Sequence, residues 1–546
     1  MCIDTMSTRS IDLLPKLESA FSEQKWDELL SLLNPKLFST PESEELIAFP
    51  CLSKVAEILQ AEEPVVPNNI KVVCLKCLGN SCFNGYKHKE YSSTNVEYGT
   101  YCLELYSKLI TNNENLKKSE IYILYPFHSH FPYESVIEWT VNFIKSYKFN
   151  EDLMDDQLEI LRLCIQFLCN LFTFACKNSS FDDQCSIPTF LYDTNLKSII
   201  MNLTNFDHIP SVRASCIFIH NALREFEGQN FTNLEKTRLC SQLLKPIKKG
   251  FESAKEALMC LLYQSNLLRI SYNDMNIEDK LYLLEIIHNE VSDSVYGCES
   301  DHLLRKDAIN FLSERFCKRS DILLKTVDSY LDNMEPREII ILLDILGTVT
   351  SRSAKACQSI ENYKSLLINC TYLLRSIQMI GKESNNYFTP MQKLSDIAKM
   401  MEETKNNGLQ QNLSSTETED NEYKDIRERK DLCSHPAFGF KAGLIRIIGN
   451  VSYRNKECQD LVREMDAIPL LLDCCNIDAR NPLIMQWTIL ALRNLCEDNP
   501  ENQEIVQNCT RTGVVENSVL REMGVTLHED ESGQKIGIVP LDLNKK

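Results

Sequence analysis

At 546 residues the chain exceeds the size at which one compact core stops growing, so several domains or an elongated repeat array are expected. Its 43% hydrophobic and 25% charged content excludes disorder throughout, and 16 glycines with 18 prolines are too few to punctuate a protein of many short strands. The net charge of −19 offers no field to a phosphate backbone, which argues against a nucleic-acid partner.

The opening Met1-Cys2-Ile3-Asp4-Thr5-Met6 lacks the basic and apolar regions of a secretory leader, and no apolar stretch reaches the ~18–20 residues that span a bilayer. A reducing compartment and no membrane insertion are the expectations. The 23 cysteines are scattered, many inside apolar runs such as Leu161-Arg162-Leu163-Cys164, where a thiol acts as a small hydrophobe; no disulfides are expected.

In chain order, apolar residues recur at helical spacing over 10–33, 69–85, 101–110, 154–176, 194–203, 212–226, 278–290, 303–315, 337–349 and 361–379. A further helix is predicted from Ser253 to Ile270, carrying Ala257, Leu258, Leu261, Leu262 and Leu268 on one face. Strand content should be near zero, except for a short extended tail at Lys535–Leu541. Helix pairs of this kind bury their apolar faces by stacking, so the predicted fold is all-α, an armadillo/HEAT-like right-handed superhelical solenoid. An apolar-x-x-apolar-x-Asn pattern ends at Asn80, Asn170, Asn221, Asn450 and Asn494. The intervals of 90, 51, 229 and 44 approach multiples of the ~40–47-residue armadillo unit, which would give about ten units.

The predicted domains are an N-terminal helical array at 1–380, a polar acidic linker or inserted loop at 381–430, C-terminal armadillo repeats at 431–516 and a tail at 517–546. In the linker, Ser414, Ser415, Thr416 and Thr418 precede acidic residues and are candidate sites for an acidophilic kinase, against the plainer reading of an unmodified spacer.

Between Asn455 and Cys496 the order is short helix (456–464), short helix (470–475) and long helix (483–496), the armadillo plan, with Pro469 and Pro482 opening the second and third. The residues Asp431-Leu432-Cys433-Ser434-His435-Pro436, Gly439-Phe440-Lys441, Ile448-Gly449-Asn450, Gln459-Asp460, Ile468-Pro469-Leu470, Asn481-Pro482, Trp487, Arg493-Asn494-Leu495, Glu497-Asp498-Asn499 and Glu522-Met523-Gly524 resemble the C-terminal domain of the ataxin-10 family, over 431–525. The resemblance implies an armadillo-like fold without enzymatic activity; the partners expected are proteins, with a homo-oligomer left open. It also implies roles in cell division (cytokinesis), neuronal survival and neurite growth, and a cytoplasmic location that includes perinuclear, centrosomal or midbody sites.

In armadillo repeats the asparagine of the third helix can hold an extended partner's backbone, so Asn80, Asn170, Asn221, Asn450 and Asn494 are candidate partner-binding residues; the alternative is that they stitch neighbouring repeats together. Arg446 and Arg493 could form a small basic groove for an acidic or phosphorylated partner, or be solvated; replacing both by glutamate is expected to leave the fold intact. Import receptors of the armadillo class place a tryptophan four residues before each ladder asparagine. Here those positions are Lys76, Gln166, Ile217, Arg446 and Leu490, which disfavours a transport adaptor, and Trp487 reads as a core anchor. The run Cys74, Cys77, Cys82 and His88 superficially suggests zinc, but Cys74 and Cys77, three apart on an apolar helix, read as core thiols, and His128 and His130 as part of an aromatic connector. GxxxxGK[ST], GxGxxG, GxSxG and HExxH motifs do not occur, so no catalytic, metal or cofactor site is predicted.

Overall fold

The computed structural model describes residues 8–38, 49–92, 130–148, 155–176, 188–293, 304–326, 334–352, 360–383, 386–391, 435–476, 478–509, 525–529 and 536–540. They fall into two compact units, Met1–Asp274 and Met275–Lys546. The division lies inside the array predicted over 1–380, and the helices before and after the acidic linker share the second unit.

The first unit contains α1 (Thr8–Ser22), α2 (Trp26–Leu32), α3 (Phe49–Gln60), α4 (Asn68–Ser92), α5 (His130–Ser146), α6 (Asp155–Cys176), α7 (Thr194–Leu203), α8 (Ile209–Glu225), α9 (Asn233–Gln242), α10 (Leu244–Lys248), α11 (Glu252–Leu262) and α12 (Leu267–Asp274). Two rows of helices run through it: α4, α6, α8 and α11 pack in succession, and α3, α5, α7, α9 and α12 form the row beside them. Between the rows the apolar faces close over Leu75, Leu168, Phe172 and Phe218, all nearly inaccessible, with Phe172 and Phe218 edge to face at 5.2 Å. Each such side chain contributes about 1.5–3 kcal/mol by leaving water, which is why the three- and four-residue spacing translates into stacking.

The helix ends follow local chemistry. Asp193 accepts from the Asn195 and Leu196 amides, both at 3.0 Å, at the start of α7. Thr232 and Glu235 form a reciprocal capping box at α9, with the Thr232 amide donating to Glu235 at 2.8 Å. The helix predicted from Ser253 to Ile270 is two helices: Asn266 takes a left-handed φ of 58° and breaks it between α11 and α12.

The second unit contains α13 (Ile277–Asp293), α14 (Lys306–Arg319), α15 (Met334–Arg352), α16 (Tyr363–Glu383), α17 (Phe440–Ser452), α18 (Lys456–Glu464), α19 (Ile468–Leu472), α20 (Ile484–Cys496) and α21 (Pro500–Asn508). Here α13, α15, α17 and α20 stack in one row, and α14, α16, α18 and α21 in the other. The described residues thus form an all-α solenoid, except for one antiparallel hairpin. That hairpin joins β1 (Val525–Glu529) to β2 (Ile536–Pro540), pairing Leu527 with Ile538. The second strand falls where an extended tail was expected; the first was not foreseen.

Two expectations change. The asparagine intervals do not count repeats, because α4 packs directly on α6 although Asn80 and Asn170 are 90 residues apart, and α15 packs directly on α17 across the linker. Long insertions between stacked helices inflate the spacing. Pro469 lies in the first turn of α19 as predicted, but Pro482 does not open α20; Leu483, at φ 62°, caps a helix that starts at Ile484. The predicted helix at 101–110 and the candidate sites Ser414, Ser415, Thr416 and Thr418 lie outside the described residues.

Candidate functional site

The ladder asparagines point along the stack. Asn170 Nδ2 donates to the Gly79 carbonyl at 3.1 Å, Asn450 Nδ2 to the Gly347 carbonyl at 3.2 Å and to Thr350 Oγ1 at 3.1 Å, and Asn494 Nδ2 to the Gly449 carbonyl at 3.0 Å. Asn221 Nδ2 reaches Cys169 Sγ and Thr173 Oγ1, both at 3.2 Å, and Asn80 Nδ2 reaches the Pro35 carbonyl at 2.9 Å. The acceptor is repeatedly the residue just before the previous ladder position. The carboxamides of Asn170, Asn221, Asn450 and Asn494 therefore each tie one third helix to the one before it, the stitching alternative that the sequence left open, while Asn80 fastens α4 to the turn at Pro35. Asn494 is buried, so it is not presented to a partner.

Arg446 and Arg493 do not form a matched basic pair. Arg446, four residues before Asn450, is half-buried: its guanidinium lies over the Trp487 ring, 5.1 Å from the centroid, and its Nη2 approaches Thr348 Oγ1 at 3.5 Å. A Cβ on Gly347 would sit 3.2 Å from Arg446 Nη1, so that glycine leaves room for the arginine. Asp344 is close enough to couple electrostatically; burial raises its pKa, while His288 and Arg446 pull it down. Successive helices α13, α15, α17 and α20 thus contribute His288, Asp344, Arg446 and Trp487 to one line. Arg493 is exposed on α20. Trp487, foreseen as a core anchor, is half-buried and serves as the platform for Arg446.

Two polar clusters lock the last repeats, and sequence reading named several of their members without their purpose. In the first, Gln459 Nε2 donates to the Asn494 and Glu497 carbonyls at 2.9 and 3.1 Å, and Asn499 Nδ2 donates to Gln459 Oε1 at 3.1 Å. Asn502 Nδ2 donates to the Leu495 and Gln459 carbonyls at 2.8 and 3.2 Å, and Arg463 donates to Asn502 Oδ1 at 2.9 Å. Asn499 and Asn502 are 0% exposed, and satisfied networks of this kind specify a unique packing.

In the second cluster, Asp478 Oδ1 accepts from the Met391 amide at 3.2 Å and Asn481 Oδ1 from the Lys441 amide at 3.0 Å, while Lys441 Nζ lies 3.7 Å from Asp478. Arg480 donates to the Thr389 carbonyl at 3.1 Å and to the Asn386 carbonyl, and His435 stacks on Tyr387 at 3.9 Å. The chain on both sides of residues 392–434 is therefore fastened to the same 478–481 turn.

The second cluster is expected to be acid-sensitive. Burial first, and Arg480 second, lower the His435 pKa to about 4, so the ring is neutral in the fold while an unfolded chain protonates near 6.5. Between those values the unfolded state binds more protons, so stability is full above about pH 6.5 and is lost as pH falls toward 4. Lowering pH from 7 to 5 should cost about 2 kcal/mol through this group. His435→Asn keeps an acceptor for the Ala437 amide, which the wild-type ring takes at 3.1 Å on Nδ1, and should flatten that part of the pH dependence of urea midpoints. An unchanged slope would remove His435 from the account.

The sulfur-rich run on α4 is core. Cys74, Cys77 and Cys82 are buried, and burial pushes the Cys74 and Cys77 thiols far above their ordinary range. Burial likewise raises Cys216 and Cys474 to about 12, and Cys169, Cys240 and Cys317 to about 11. His128 and the side chains of His88 and His130 lie outside the described residues. Among the described residues no cluster of three or more His, Cys, Asp or Glu is placed to hold a metal ion, and no helix is long and apolar enough to cross a membrane.

Residues 440–537, which hold the first cluster and Lys441, Asp478, Arg480 and Asn481 of the second, match the family described as the spinocerebellar ataxia type 10 protein domain. The chain is 33% identical to ataxin-10 of Xenopus tropicalis over 266 residues, 48% of each chain, and 30% identical to that of Homo sapiens over 283 residues, 50% of each. It is 44% identical to the ataxin-10 homolog of Dictyostelium discoideum over 95 residues, 17% of this chain and 16% of that one. The matched regions span about half the length of the two vertebrate relatives. Over residues 440–537, and more loosely over about half of its length, the chain is therefore similar to the ataxin-10 proteins.

Proposed function

We propose that the chain is a non-enzymatic protein-interaction scaffold of the ataxin-10 type, acting in cell division (cytokinesis) and in neuronal survival or neurite growth. Its location in this reading is cytoplasmic, including perinuclear, centrosomal or midbody sites. The carrying observation is the line of His288, Asp344, Arg446 and Trp487 across four stacked helices, the last of which also carries the exposed Arg493. It offers a carboxylate, a guanidinium and an indole at one-repeat spacing, a surface suited to a peptide that carries both charge and apolar side chains. The runner-up, a transport adaptor, is weakened by Lys76, Gln166, Ile217, Arg446 and Leu490 standing where ladder tryptophans would.

The structure changes the test. Arg446→Glu would set a second carboxylate beside Asp344 and strip the cation from Trp487, so it should destabilise the second unit by roughly 1–3 kcal/mol rather than leave the fold intact. Arg493→Glu, on an exposed position, should change stability by less than about 0.5 kcal/mol. Affinity capture with the full chain should then show Arg493→Glu weakening at least one partner tenfold at wild-type thermal stability. An unchanged partner set would discard this face.

A further inference from the structure

In each stacked third helix the first apolar position of the asparagine pattern is covered: Leu75 is 1% exposed, and Ile165, Cys216 and Ile445 are 0%. The last member breaks the rule, with Ile489 on α20 at 59%. The cause lies in the order of packing. α4, α6, α8 and α17 are each followed by another third helix, α6, α8, α11 and α20 respectively. Among the described residues none follows α20. Leu483, which caps the start of α20, is 60% exposed, and Ile505 and Val506 of the following helix α21 are only half-buried. A solenoid end that shows core positions to water needs a cap.

The element that follows in the chain has the complementary need. The register pairs Val525 with Pro540, Leu527 with Ile538 and Glu529 with Ile536, so those positions share one face of the hairpin and five of the six are apolar. The other pairs are Thr526 with Val539 and His528 with Gly537. A lone two-stranded hairpin is marginal in water and gains stability by laying such a face on a helix. The connection from Asn508 to Val525 can reach roughly 55 Å when extended, more than the few helix diameters needed.

We infer that the hairpin Val525–Pro540 docks its Leu527–Ile538 face on the α20 edge at Leu483 and Ile489, closing the solenoid in place of a further third helix. A second copy of the chain and an unrelated protein are the competing occupants.

Hydrogen exchange on the full chain distinguishes them, with exchange in α6 and α8 as the check that the variants remain folded. Leu527→Asp with Ile538→Asp should speed exchange in 484–496 at least tenfold. The reciprocal Ile489→Asp should bring 525–540 to the rate of an unstructured peptide. Both effects should be independent of protein concentration. Unchanged exchange in 484–496 in the hairpin variant would overturn the inference, as would protection of α20 that appears only at high protein concentration, which would identify a second copy as the cap.

Discussion

Asn502→Leu is expected to loosen the last two repeats by about 2–4 kcal/mol. The leucine is close in volume, so the loss is not one of space. It removes the donor that serves the Leu495 and Gln459 carbonyls and the acceptor that receives Arg463, at a site with 0% exposure where water cannot replace them. Each stranded buried polar group costs about 1–3 kcal/mol, although Arg463 keeps Asp460 at 2.7 Å and softens the total. Amide exchange across 456–508 should accelerate roughly 100-fold, since about 1.4 kcal/mol is a factor of ten. The neighbouring Gln503 makes a single exposed bond to the Cys496 carbonyl at 2.8 Å, so Gln503→Leu should shift exchange less than about threefold. Equal effects from the two variants would mean that the carboxamide cluster holds nothing in particular.

The second large effect is expected at a glycine. A Cβ on Gly449 would lie 2.9 Å from Ala491 Cα and 3.0 Å from Ala491 Cβ, so α17 and α20 would have to separate. Backbone cannot give way as a flexible side chain can, and the Asn494 bond to the Gly449 carbonyl would lengthen with the separation. Gly449→Ala should cost about 1–3 kcal/mol and Gly449→Val about 3 kcal/mol or more. Gly79 occupies the same place before its ladder asparagine, yet a Cβ there would meet only Asn170 Nδ2, at 3.7 Å, an ordinary contact. Gly79→Ala should therefore be neutral or stabilising by up to ~1 kcal/mol through helix propensity. Thermal unfolding of the three variants checks the contrast. A destabilised Gly79→Ala beside an unaffected Gly449→Ala would reverse the packing account.

The line formed by His288, Asp344, Arg446 and Trp487 combines two kinds of information. That Arg446 precedes Asn450 by one helical turn is visible in the sequence; that Asp344, 102 residues earlier, stands beside it is not. The intervening helix α16 and the acidic linker hide the adjacency of α15 and α17 from any count of spacing.

The sequence by itself determined some of the helices. Apolar spacing placed α6, α7, α8, α13, α15 and α16 within a few residues of their observed bounds, because a helix buries one face and period 3.6 records which, whereas no helix span is predicted for α3, α5, α9 and α17, and the span 10–33 is two helices, α1 and α2. It also carried the armadillo order of the last repeat and the resemblance to the ataxin-10 family, through residues such as Gly449, Gln459, Asn494 and Asn499. Only the tertiary structure decided what those residues do: Gly449 lets two helices touch, Asn494 stitches them, and Gln459 with Asn499 and Asn502 seals them. Which third helices are neighbours, where Pro482 sits, and that Val525–Glu529 pairs with the tail were equally beyond reach. The physical reason is common to all of them. Helical periodicity is written within a few consecutive turns, whereas stacking partners are chosen by surfaces that meet across insertions of up to about a hundred residues, and no local pattern records that distance.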